Sequence, residues 1–223
     1  MSSPMPAIDS RSLVDRVYDH LMEQIESGVI GHGQTVSVRK VANELGLSTM
    51  PVREALKRLA FERVVTIKPR SSCTVLAPSG QMIRDVYELR EVIEVHAVTK
   101  AAATGIEPAA LDRLAGIVAE MRALDRVTDA ASHERRQIEL DRRFHAVICA
   151  LSGNEYMSAV HRALSVHLTM ALIHERTDHV LAYRYAESHD EILAALRADP
   201  QSATGVLRQH FARVRDVLVQ ASG

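Results

Sequence analysis

Cysteine is nearly absent from this chain, with only Cys73 and Cys149 in 223 residues. Two thiols cannot build the disulfide framework of a small exported scaffold, so a reducing, cytoplasmic setting is expected. The N-terminus lacks the charged-then-apolar pattern of an export signal, and no long uncharged apolar run occurs, so neither export nor a membrane partner is expected. Internal repeats and low-complexity tracts are also missing, and from Pro78 onward no segment reads as a strand. What remains, 47% hydrophobic and 25% charged, is the composition of a folded protein long enough for two modest domains.

The net charge of −1 says little, but its distribution is uneven. Residues 35–75 hold Arg39, Lys40, Arg53, Lys57, Arg58, Arg63, Lys68 and Arg70 against Glu44, Glu54 and Glu62, a local net of +5 that leaves −6 for the remainder. A basic module joined to an acidic one is the layout of a nucleic-acid reader with a separate control domain. Local patterns agree with that division. Ser12 and Asp15 form a capping box ahead of Val14, Val17, Leu21 and Ile25, which predicts a helix over 12–27 that Gly28 stops. Ser37 can cap a short helix with Val38, Val41, Ala42 and Leu45 inward, ended by a left-handed Gly46. Ser48 or Thr49 caps the next, with Pro51 in its first turn and Val52, Ala55, Leu56 and Leu59 inward. The β-rich runs of VVTIKPRSSCTVLA then read as a hairpin around Pro-Arg-Ser-Ser. This series predicts a winged helix-turn-helix. Its second helix presents Thr49, Met50, Arg53, Glu54 and Lys57 outward; the N-terminal ones would enter the major groove, and Arg53 and Lys57 would neutralise phosphate or reach guanine.

Beyond Pro78, helical periodicity marks six segments, near 79–104, 107–127, 132–152, 155–175, 179–198 and 201–221, joined by short connectors. The expected architecture is therefore mainly α, with an N-terminal winged helix-turn-helix over 10–77 and a C-terminal antiparallel helical bundle over 78–223. Polar residues interrupt the inward stripes of that bundle. In LDRRFHAVICALSGN, Asp141 and His145 lie one turn apart on the stripe of Ile138, Ile148 and Ser152, a spacing that suits two ligands of one metal. His189 shares a stripe with Ile192 and Leu196, and His210 with Ala203 and Val214; both lie about equally far from the ADPQ turn, hence at one height in an antiparallel pair. A single inward histidine usually has an ordinary hydrogen-bond partner, whereas four such groups in one bundle ask for a common one. His161, His167 and Cys149 are alternatives that periodicity does not separate from them. Arg90, on the stripe of Ile83, Val86, Tyr87, Ile93 and Ala97, needs an anion if buried: Glu94 one turn on, or the carboxylate of a small organic acid.

Several motifs carry a resemblance. SVRKVANELGLSTMPVREALKRL resembles the DNA-binding domain of the GntR family of bacterial transcription regulators, without a break from Pro51 to Leu56. That resemblance implies contacts to double-stranded operator DNA from Arg39, Ser48, Thr49 and Arg53, and from a wing tip at Arg70 and Ser71. Thr49 and Met50 stand where the family usually has Arg and Thr, and Arg63 and residues 70–72 where it has glycines. Likewise ELREVIE (88–94), DRRFHAVICALSGN (141–154), ESHDEILAAL (187–196) and HFARV (210–214) resemble the FCD effector domain of the FadR branch, in its six-helix, VanR-like form. By that resemblance Asp141, His145, His189 and His210 correspond to ligands of a divalent metal, and zinc, nickel or manganese suits such donors. The expectation is a homodimeric transcription regulator, a repressor, whose operator affinity answers to a small carboxylate effector bound by the metal and Arg90. A dedicated metal sensor is the alternative; a metalloenzyme is the more distant one, because no separate general base stands out.

Overall fold

Short-range hydrogen bonds fix the first helix. The Ser12 hydroxyl accepts from the Asp15 N–H at 3.1 Å and the Asp15 carboxylate accepts from the Ser12 N–H at 3.2 Å, and α1 runs Leu13–Glu26 behind this box. The computed structural model describes residues 12–68, 72–124, 130–174 and 185–222, and the chain divides between Leu76 and Ala77 into two units.

In the first unit Ser37 caps α2, Val38–Leu45, by accepting from the Lys40 N–H at 3.3 Å. Gly46 ends that helix at φ 65°, which a Cβ would strain. After the N-cap Ser48 comes α3, Thr49–Phe61, whose Val52, Ala55, Leu56 and Leu59 are at most 2% exposed. An outer network ties α1 to the C-terminal end of α3. Tyr18 donates to Glu62 at 2.5 Å, and Arg58 lies 4.0 Å over the Tyr18 ring while reaching Asp15 at 3.2 Å. The strands β2, Val65–Lys68, and β3, Ser72–Val75, pair antiparallel from Val65↔Val75 to Lys68↔Ser72. The hairpin acquires a third strand that periodicity did not register. That strand, β1, is Thr35–Val36 and pairs antiparallel with β3 in the sheet order β1-β3-β2. Two residues are too few for alternation to show. Arg70 and Ser71, read as the wing tip, lie outside the described residues.

The described residues of the second unit form six helices: α4 Gly80–Thr104, α5 Pro108–Leu124, α6 Ala130–Ala150, α7 Glu155–His174, α8 Tyr185–Ala198 and α9 Pro200–Ala221. Asp199 caps α9 by accepting from the Gln201 and Ser202 N–H groups, with Pro200 at the first position, where a missing N–H leaves nothing unpaired. Helix α4 packs against α6, α7 and α9, while α8 lies against α5 and α9. Leu114, Leu140, Phe144, Ile148, Ile192 and Phe211 are essentially inaccessible at the centre. Among the described residues no helix is long and apolar enough to cross a membrane.

Arg63, just beyond α3, is the one described non-glycine residue in the left-handed region, at φ 57°. A residue with a Cβ loses about 1–2 kcal/mol there, partly offset in glycine by greater chain entropy. Arg63→Gly is therefore expected to hold or raise the thermal midpoint, and Arg63→Val to lower stability by roughly 1–2 kcal/mol. Calorimetry checks this; a valine variant as stable as the parent would show that the turn relaxes out of the left-handed basin.

Candidate metal centre and nucleic-acid interface

The i,i+4 spacing places Asp141 and His145 on the buried face of α6, at 7% and 0% exposure. His189 from α8 and His210 from α9 arrive from two other helices, at 0% and 2%. Each of the four offers one ligand-capable atom, and these atoms lie within 4.8 Å of one another. His189 Nε2 is 3.2 Å from Asp141 Oδ1, and His145 Nε2 is 3.7 Å from the same oxygen. The three imidazole centroids stand 5.0–5.3 Å apart. Phe144 meets His189 edge-on at 4.7 Å and Phe211 lies 5.5 Å from His145, so apolar rings wall the cluster.

Behind His145 stands Glu94 of α4, wholly buried. His145 Nδ1 donates to Glu94 Oε2 at 2.6 Å. The other carboxylate oxygen, Oε1, accepts from Arg90 Nε at 2.7 Å and from His161 Nε2 at 3.0 Å. Arg90 Nη2 also approaches Asp141 Oδ2 at 3.5 Å, and its guanidinium lies 5.2 Å from the Phe211 ring centre. Burial opposes ionisation of Glu94, but His145 and Arg90 beside it overcome that and hold its carboxyl well below the usual range. Asp141 is held down in the same way, against its burial, by His145, His189 and Arg90. Burial likewise opposes the Arg90 charge, and Glu94 and Asp141 outweigh it. Two buried carboxylates thus face one buried guanidinium, an excess of one negative charge. A divalent cation meets that excess, and three imidazole nitrogens with one carboxylate oxygen are donors that borderline divalent metals accept.

The four residues expected as ligands therefore come together. Arg90 lies against Glu94 and Asp141, so the anion its burial demands is supplied from within the unit. His161 is engaged with Glu94, and Cys149, buried and with its thiol pKa raised by burial, is outside the four-residue group, as is His167. The periodicity reading saw Glu94 only as a partner for Arg90. Its place one turn beyond Arg90 signals burial, but its histidine partners are 51 and 67 positions away in sequence.

In the first unit Arg39 on α2 and Ser48, Thr49, Arg53 and Lys57 at or on α3 are all exposed. The Ser48 hydroxyl makes no capping hydrogen bond, and Met50 beside it is 71% exposed. Lys57 pairs with Glu54 at 2.8 Å, but both are largely exposed, and such a pair yields readily to a phosphate.

Comparison with known proteins follows the same division. Residues 13–75 match the family described as bacterial regulatory proteins, gntR family, and residues 85–213 match the FCD domain. The chain is 28% identical to the gluconate operon transcriptional repressor of Bacillus subtilis (strain 168) over 65% of its own length and 57% of that protein's. It is 24% identical to the HTH-type transcriptional repressor GlaR of Escherichia coli (strain K12), over 92% of this chain and 94% of GlaR. A putative transcriptional regulator GntR from Rhodococcus sp. RHA1 superimposes with a TM-score of 0.80 at 21% identity, covering 94% of this chain and 99% of that one, which shows a shared fold.

Protonation of the cluster gives a test in metal-free protein. Burial and the Arg90 charge lower His145 to about 4, and burial with the neighbouring imidazoles puts His210 well below its ordinary value. Unfolded histidines titrate near 6.5, so below that pH the unfolded chain binds protons that the folded chain refuses. Stability is therefore complete above about pH 6.5 and falls with acidification, by about 2 kcal/mol from His145 at pH 5, with His210 adding in the same direction. Glu94 and Asp141, with depressed folded pKa values, extend the loss below pH 4.5. Urea unfolding of chelator-treated protein from pH 7.5 to 5 measures the slope; a flat profile would contradict burial of neutral imidazoles.

Proposed function

Because the chain belongs to the GntR family of bacterial regulatory proteins and is a DNA-binding transcription regulator with an FCD domain, we propose that its C-terminal unit is a metal centre through which a small organic acid sets operator affinity. The observation that carries this reading is the buried convergence of Asp141, His145, His189 and His210 within 4.8 Å, beside an uncompensated negative charge. These four residues would hold one zinc, nickel or manganese ion. Bound there, such an ion would supply a Lewis-acidic centre toward an anionic oxygen. Phe144 and Phe211 keep water from the cluster, and Arg90, held next to Asp141, adds positive potential toward a carboxylate. Arg90 and Glu94 both belong to α4, the helix that follows the DNA-binding unit in sequence. A shift of α4 on acid binding would change operator affinity by about 1–3 kcal/mol, the usual scale of such coupling.

In this proposal residues 10–77 bind operator DNA, and 78–223 bind the effector and a second copy of the chain. Leu89 and Val92 on α4 and Tyr156 and Val160 on α7 are apolar and exposed on helices that pack together, which supports a homodimer covering them. Two copies bring two recognition helices to a pseudo-palindromic operator. Two relatives named as repressors support repression as the mode of action, and the proposal places it in the cytoplasm. A second reading, in which the metal alone is the signal, is favoured by the internal pairing of Arg90 with Glu94.

Thermal shifts with small mono- and dicarboxylates, with and without chelator, separate the two. The proposal expects stabilisation by a carboxylate only in metal-loaded protein, and loss of metal from His189→Ala and His210→Ala by elemental analysis. Equal stabilisation after chelation would remove the carboxylate from the metal. Operator affinity that follows metal alone, with no carboxylate active, would establish the second reading.

On the DNA side, Arg53→Ala is expected to weaken operator binding by about 1–3 kcal/mol, concentrated at one base pair. Lys57→Ala should weaken all sequences alike and flatten the salt dependence by about one unit of slope. Binding titrations across salt concentrations read both; undiminished affinity in Arg53→Ala would displace α3 from the groove.

A further inference from the structure

We infer that Glu94 is the positioning residue of the proposed metal centre, fixing the tautomer and ring orientation of His145 so that its Nε2 lone pair faces Asp141, His189 and His210. The inference rests on the metal reading above and deepens it.

An ionised carboxylate accepts hydrogen bonds and donates none, and a neutral imidazole has one N–H and one lone pair. At 2.6 Å from Glu94 Oε2, His145 Nδ1 must therefore carry the proton. That leaves Nε2 bare, and this buried atom makes no hydrogen bond, with Asp141 Oδ1 3.7 Å away. A free histidine side chain favours the opposite tautomer, with the proton on Nε2, which would close the very atom a metal needs. A carboxylate behind the distal nitrogen of a metal-binding histidine is a known means of fixing tautomer and raising ligand basicity.

Counter-ion duty toward Arg90 does not account for this placement. Arg90 engages only Oε1 of Glu94 and has a second carboxylate in Asp141 at 3.5 Å. Oxygen Oε2 is directed across to α6, where it accepts from His145. Arg90 from α4 and His161 from α7 meanwhile hold Oε1, and so set the rotation of the carboxylate that His145 meets. One side chain thus relates three helices to the orientation of one ligand.

The test uses the full-length chain as wild type, Glu94→Gln and His189→Ala, with zinc as the probe against a competing chromophoric chelator. Long-range ¹H–¹⁵N correlation of the metal-free protein reads the His145 tautomer directly. Glutamine keeps the volume of Glu94 but has a single acceptor oxygen, which cannot serve His145 and the Arg90–His161 pair together. Expected are the Nδ1–H tautomer in wild type and a loss of zinc affinity of about 10–100-fold in Glu94→Gln with stoichiometry retained. A proton on His145 Nε2 in wild type, or full zinc affinity in Glu94→Gln, overturns the inference. Should Glu94→Gln not fold, the wild-type tautomer still decides. Failure of the metal reading itself looks different: wild type takes up no zinc, or His189→Ala keeps it.

Discussion

Charge balance inside the helical unit is the constraint from which its arrangement follows. Arg90, Glu94 and Asp141 are ionised and almost wholly buried, and removing one partner from such a group typically destabilises by about 3–5 kcal/mol. The three charges bind α4 to α6, while the histidines that accompany them come from α6, α7, α8 and α9. Helices with only leucine and isoleucine between them could slide by a turn at modest loss; helices holding one carboxylate between an arginine and two imidazoles cannot. The same arithmetic leaves one negative charge over, which supports the cation proposed for this core.

The N-terminal unit is built differently. Among the described residues its core is apolar throughout, from Val17 and Leu21 on α1 to Leu56 and Leu59 on α3, and its polar work is done outside. Asp15, Tyr18, Arg58 and Glu62 brace α1 against the C-terminal end of α3, so the N-terminal end of α3, with Thr49, Met50 and Arg53, is presented on a fixed support. Exposed cations on a rigid helix suit a phosphate-lined partner, because their charge is not spent in burial.

Much of this was legible in the sequence, for physical reasons that differ from residue to residue. Ser12, Ser37 and Gly46 act over three or four residues, and local chemistry is what a sequence displays. The inward side of Asp141, His145, His189 and His210 was legible because a 3.6-residue period fixes which side of each helix turns inward, but that period did not separate them from His161, His167 and Cys149; the resemblance to the FCD domain did. Strand β1 was not, since two residues carry no period. Glu94 was half legible: its pairing with Arg90 follows from i,i+4 spacing, whereas its bonds to His145 and His161 exist only once α4, α6 and α7 have packed. The left-handed backbone at Arg63 was similarly hidden, because arginine does not advertise the conformation that a glycine would.

The central claim, that this buried surplus of negative charge and imidazole lone pairs is a metal centre, is tested most directly by anomalous diffraction from crystals of the zinc-loaded chain. One strong peak per subunit is expected, within bonding distance of Asp141, His145 Nε2, His189 and His210. A peak at Cys149 or at exposed histidines, with the cluster empty, would contradict it.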